Sequence, residues 1–254
     1  MGGFFENLDY SVLINPLMRL IPLLICITIH ELAHGYMAYR LGDPTAKMMG
    51  RLTLNPIKHI DPAGALMILI VGFGWAKPVP VDMRNFRNPK RDMAVTALAG
   101  PMSNIILALF VLIILALVSE PLTARHSLYH GEFFLNSLTG VIPNSSNEFV
   151  YQIIARTAWL SILLAIFNLI PIPPLDGSKI LFSFLPDRLH ESLMRNERFG
   201  FLILMALMIL PSYVDAMPDI LGPTILRLAL FMISTTAYLF GIIPNIVHMH
   251  LTGI

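Results

Sequence analysis

The sequence predicts an all-α polytopic membrane protein with about five full transmembrane helices, a re-entrant or interfacial segment and a short extended β-element. Three observations lead there. Of the 254 residues, 56% are hydrophobic and 13% charged, and the mean hydropathy is +0.70, outside the range of soluble globular domains. Apolar runs long enough to cross the hydrocarbon, which takes about 20 helical residues, occur at 11–41, 92–118, 149–171, 199–214 and 223–243, the fourth being short. Basic residues cluster in alternate connections. The net charge of +1 gives no basic excess for nucleic acid, so none is expected as a partner. The whole of 1–254 is expected to form one membrane-embedded domain.

Between the first two runs lies a shorter apolar piece, 62–75, which ends in Gly72 and Gly74 and is bordered by basic loops. It is too short for an ordinary crossing and reads as re-entrant or interfacial. The stretch 76–91 carries Pro78, Pro80 and Pro89 among Val79 and Val81, a pattern of short extended segments. Arg40, Lys47, Arg51, Lys58, Lys77, Arg84, Arg87, Lys90 and Arg91 surround the short piece. Lys179, Arg188, Arg195 and Arg198 follow the third full span. The 119–148 connection holds only Arg125 and 214–222 has no basic residue. The positive-inside rule makes both clusters cytoplasmic, which gives five crossings with the N-terminus outside and the C-terminus in the cytoplasm. The first basic residue is Arg19, so no positively charged region precedes the first run and that helix is expected to remain in the mature protein. Cys26 is the only cysteine, which excludes an intramolecular disulfide and points to helix packing.

The first span contains "CITIHELAHGYMAY". His30 and His34 are four apart and share a helix face, the spacing at which two imidazoles ligate one zinc ion. Glu31 lies about 60° around the helix from His34, close to such an ion yet free to take a proton. This is H-E-x-x-H, in which zinc activates water and the carboxylate is the base. Three ionisable groups at the centre of a span cost about 2.5–3.5 kcal/mol each on insertion scales, so idle ones are not expected there.

A hydrolytic zinc site takes three protein ligands. Position 40, where the longer metzincin pattern has histidine, is Arg40, and no glutamate follows Glu31 before Glu120. Asp43, Asp61 and Asp176 remain. Asp43 in "LGDPTA" suits a turn and Asp61 in "HIDPAG" a helix cap. Asp176 stands where Pro171, Pro173 and Pro174 break the third span and Gly177 frees the backbone. It is the expected third ligand, at the same cytoplasmic depth as the histidines.

"HELAH" together with "NLIPIPPLDG" closely resembles the site-2 protease family of intramembrane zinc metalloproteases. "GRLTLNPIKHIDP", "GFGWAKPVPV" and "LAGPMSN" are similar to further segments of its compact members. The resemblance covers about residues 26–182 and implies an endopeptidase acting on peptide bonds in or near transmembrane segments of membrane-protein substrates. It implies one zinc per chain on His30, His34 and Asp176, and Glu31 as catalytic base. It further implies that Asn168 polarises the substrate carbonyl, and that Asn104 lines the cleft. Gly72 and Gly74 would belong to the turn leading into an extended segment that pairs with unwound substrate. No stretch resembles a PDZ domain or a CBS pair. The competing readings are a zinc or ion transporter, since intramembrane His and Asp also mark ion pathways, and a silent helix-binding scaffold. His59, His126, His130, His248 and His250 are expected at interfaces, away from the site. The oligomeric state and the substrate's identity are not legible.

Overall fold

The computed structural model describes residues 11–71, 75–119 and 146–209, together with Thr224 and Arg227. Among them eight α-helices follow one another: α1 Ser11–Arg40, α2 Thr45–Met48, α3 Pro62–Val71, α4 Pro89–Ser119, α5 Ser146–Asn168, α6 Asp176–Ser183, α7 Asp187–Arg195 and α8 Glu197–Ile209. The described residues are thus mostly helical. Two stretches, Leu20–Arg40 and Pro89–Ile114, are helical, long and apolar enough to cross a membrane, and Gln152–Asn168 is apolar but shorter. The fifth apolar run of the sequence, apart from Thr224 and Arg227, and Gly72, Gly74, His126, His130, His248 and His250 fall outside the described residues.

Helix α4 is the centre of the bundle, packing against α1, α5 and α6, while α1 also packs against α5. Small residues carry the contacts: Ala155 and Ala158 of α5 meet Val111 and Leu112 of α4, and Ala108 meets Trp159 and Ile162. Small side chains let backbones approach where the hydrophobic effect cannot drive helices together, as in lipid. Large apolar residues face outward instead. Met102, Ile106, Phe110 and Ile113 of α4 are all exposed, and their spacing makes one stripe. In water such a stripe would be a liability, whereas in a bilayer it is the lipid face. Cys26 approaches Ser161 Oγ at 3.1 Å and donates to the Thr157 carbonyl, so it does join α1 to α5.

The ten residues of α3 rise about 15 Å, half the hydrocarbon thickness. Its surroundings bring the chain back to where it started. A Cβ on Gly64 would meet the Trp75 carbonyl oxygen at 2.0 Å, so only glycine admits the returning backbone. Ile60 and Ala76 form an antiparallel bridge, and the Lys77 amide donates to the His59 carbonyl at 2.9 Å. The two flanks of the apolar piece therefore lie side by side. Among the described residues this bridge is all there is of the expected β-element; 77–82 run on without helix or strand.

The polar end of the bundle is held by side-chain caps. Gly42, at φ 112°, takes the left-handed turn that ends α1. Asp43 is fully buried. Its carboxylate accepts from the Thr45 amide and hydroxyl, the Asp82 amide at 2.8 Å and Asn85 Nδ2 at 2.7 Å. This aspartate staples the 82–85 turn to the end of α1. Asp61 accepts from the Ala63 and Gly64 amides as an N-cap of α3. Neither is free to ligate a metal, as the sequence suggested. His59 is buried, with Nε2 against the Thr53 carbonyl at 2.9 Å.

Candidate metal centre

The third predicted ligand reaches the first two because "NLIPIPPLDG" cannot remain a helix. Prolines at 171, 173 and 174 supply no amide hydrogens, the Pro173–Pro174 bond is cis, and the chain turns on Ile172 N–H to Ile170 O and Leu175 N–H to Ile172 O. Helix α6 then starts at Asp176. A Cβ on Gly177 would lie 2.2 Å from the Leu169 carbonyl oxygen, and one on Gly200 2.3 Å from Pro173 Cβ. The turn is therefore clamped between the end of α5 and α8, and its aspartate is directed back toward α1.

There His30 Nε2 lies 3.1 Å from Asp176 Oδ2 and 3.0 Å from His34 Nε2, and His34 Nε2 lies 3.1 Å from Asp176 Oδ2. His30 and Asp176 are buried and His34 nearly so. Three donors of a tetrahedral zinc site with bonds of about 2.0–2.1 Å lie about 3.3–3.4 Å apart, so this near-equilateral triangle has the right size. The hydrogen-bond chemistry agrees. His34 Nδ1 is 2.8 Å from the Thr96 carbonyl and must donate to it, leaving a lone pair on Nε2. In the neutral ring that lone pair faces a carboxylate oxygen and His30 Nε2 together, and acceptors at these distances repel unless a proton or a metal cation lies between them. The residues fit a dication.

Glu31 is not part of the triangle. Its Oε2 accepts the Val79 amide hydrogen at 2.8 Å, which ties the extended segment to the zinc-motif helix. Gly35, one turn on, makes room for this: a Cβ there would sit 2.7 Å from Leu52 Cδ2 and 2.9 Å from Val79 Cγ1. A cavity of about 150 Å³ opens onto the triangle, lined among others by Glu31, Pro78, Val81, Asn168 and Lys179. Asn168 donates to the Leu164 carbonyl one turn back at 2.9 Å. Lys179 Nζ is 3.8 Å from Asp176 Oδ1.

Asn104 is placed differently from its expected position in the cleft. It is fully buried behind His30, with Nδ2 3.1 Å from His30 Nδ1. Sequence reasoning had no view of Thr96, Gly100, Lys179 or the Val79 amide. Of these, Gly100 left a trace, a glycine four residues from Asn104 inside an apolar span. A Cβ on Gly100 would lie 2.3 Å from His34 Nε2 and 2.7 Å from His30 Cε1.

The profile of peptidase family M50 matches residues 18–211. The proposed zinc metalloprotease YwhC of Bacillus subtilis is 38% identical over 214 residues, which is 82% of this chain and 87% of YwhC. The proposed zinc metalloprotease Rip2 of Mycolicibacterium smegmatis is 27% identical over 74% of this chain and 65% of its own length. No solved structure matches. From the residue triangle and these relatives together, the chain belongs to peptidase family M50.

Proposed function

We propose that His30, His34 and Asp176 hold the zinc ion of an intramembrane metalloendopeptidase, with Glu31 as its proton carrier. The chain is a membrane zinc metalloprotease by family. The observation that carries the residue assignment is the triangle of 3.0–3.1 Å edges with a glutamate beside it at the wall of one cavity. Held by these three side chains, a zinc ion would supply the Lewis acidity that brings the pKa of water toward neutrality and polarises a carbonyl.

The remaining chemistry belongs to side chains and backbone. The Val79 amide occupies Oε2 of Glu31 and fixes the carboxylate at the cavity wall, so Oε1 is the oxygen that takes a proton from water and delivers it to the leaving nitrogen. Asn168 Nδ2 turns from the Leu164 carbonyl to the substrate carbonyl as negative charge grows on it. The extended segment through 76–81 pairs with substrate backbone; Gly72 and Gly74, which precede it in the sequence, lie outside the described residues. That pairing replaces helix hydrogen bonds which otherwise hide the scissile carbonyl. Substrates are transmembrane segments of other proteins, met within the bilayer.

The membrane arrangement supported by the charge pattern has five crossings, the N-terminus outside, the C-terminus cytoplasmic and the metal centre toward the cytoplasm. The meeting of Ile60 with Ala76 supports it, since a returning segment keeps both flanking basic loops on one side. Residues 1–254 act as a single domain. A transporter is not favoured: the ligands gather at one point, and Glu31 stands outside the ligand set.

Glu31→Gln is the decisive variant. It keeps an acceptor for the Val79 amide but cannot carry the proton. Zinc content is expected to stay at the unmodified level, and cleavage of a fused membrane-spanning reporter to fall at least about 100-fold. Full cleavage by this variant would refute the role.

A further inference from the structure

Metal-ligating histidines donate their second ring N–H to a fixed acceptor, which sets the tautomer and aims the lone pair at the metal. For His34 that acceptor is the Thr96 carbonyl. Thr96, Gly100 and Asn104 are spaced by four on α4, as His30 and His34 are on α1, so one stripe of α4 lies along the back of both rings. Thr96 meets His34, Gly100 leaves room for both imidazoles, and Asn104 meets His30. Asn104 Oδ1 is buried with no hydrogen-bond partner. A buried carbonyl without a donor is costly. The geometry has an economical resolution. His30 can place a lone pair on the metal through Nε2 only if Nδ1 carries the hydrogen, and Nδ1–H requires an acceptor. A half-turn of the carboxamide, which exchanges its two ends, brings the orphaned Oδ1 to that hydrogen.

We propose that Asn104 is a positioning residue of the metal centre: its side-chain carbonyl accepts from His30 Nδ1–H and holds His30 in the tautomer that presents Nε2 to zinc. Asn104 thus acts through His30 and does not touch substrate. This rests on His30 being a ligand, the reading given above.

The test uses the full-length chain in detergent, with zinc affinity measured by chelator competition and the visible spectrum of the cobalt-substituted protein as a second readout. Asn104→Leu keeps the size and removes the acceptor, and Asn104→Asp keeps both. Expected is about 10- to 100-fold weaker zinc binding for Asn104→Leu, with a changed cobalt spectrum, and near-native values for Asn104→Asp. Should Asn104→Leu fail to fold, Asn104→Ala replaces it in the same comparison. Native zinc affinity without the acceptor overturns the inference, and so does an equal loss in the Asp variant, which would mark Asn104 as packing alone. His30→Ala separates the two claims. If it too binds zinc normally, the ligand assignment has failed; if it loses zinc while the Asn104 variants do not, only the positioning role has.

Discussion

Gly100 shows how much at this centre depends on an absent side chain. A methyl group at this position would lie 2.3 Å from His34 Nε2, well inside contact distance, so Gly100→Ala must push the imidazoles apart or spread α1 from α4. We expect the purified variant to carry much less than one zinc per chain by elemental mass spectrometry, and to lose reporter cleavage. Full zinc occupancy with native cleavage would mean that the packing of α4 on the rings is not needed. His30, Glu31 and His34 were legible in the sequence because ionisable groups in an apolar run demand a reason. Asp176 was legible because three prolines cannot continue a span. Main-chain groups carry no such mark: nothing in the residue names announces that the Thr96 carbonyl and the Val79 amide complete the site.

Among elements, the connection between α1 and the extended segment depends on Asp43. Burial by itself would raise its pKa, but the hydrogen bonds from Thr45, Asp82 and Asn85 outweigh it and hold the carboxyl below its ordinary value. A carboxylate whose pKa is depressed on folding contributes stability that is fully present above its unfolded pKa and lost as pH falls through the folded one. The staple is therefore intact at neutral pH and released only in acid, below about pH 4. Hydrogen exchange of residues 79–86 should accelerate in that window, after correction for intrinsic rates, and Asp43→Asn should shift or abolish the transition. Asp43→Ala should destabilise this region at neutral pH by about 2 kcal/mol, since it strands buried donors of a charged acceptor. Protection of 79–86 that is unchanged in Asp43→Ala would contradict the staple. The elements themselves could be read from apolar length, but the rotation of α4 could not. That helix is apolar on nearly every side, so no polar face told whether Asn104 points into the cleft or behind His30.

Across the whole molecule, Cys26 is the single cysteine and is buried, which leaves a quiet background for single-cysteine labelling. Lys58→Cys and Arg87→Cys lie at exposed positions on either side of the returning segment. Both should react with a membrane-impermeant maleimide in inside-out vesicles and resist it in intact cells; opposite behaviour of the two would make 62–75 a true crossing. The direct measurement of the central claim is anomalous diffraction at the zinc edge from crystals of the full-length protein. One peak enclosed by His30 Nε2, His34 Nε2 and Asp176 Oδ2 is the predicted result. A peak held by other residues, or none in protein that still cleaves its reporter, would contradict it.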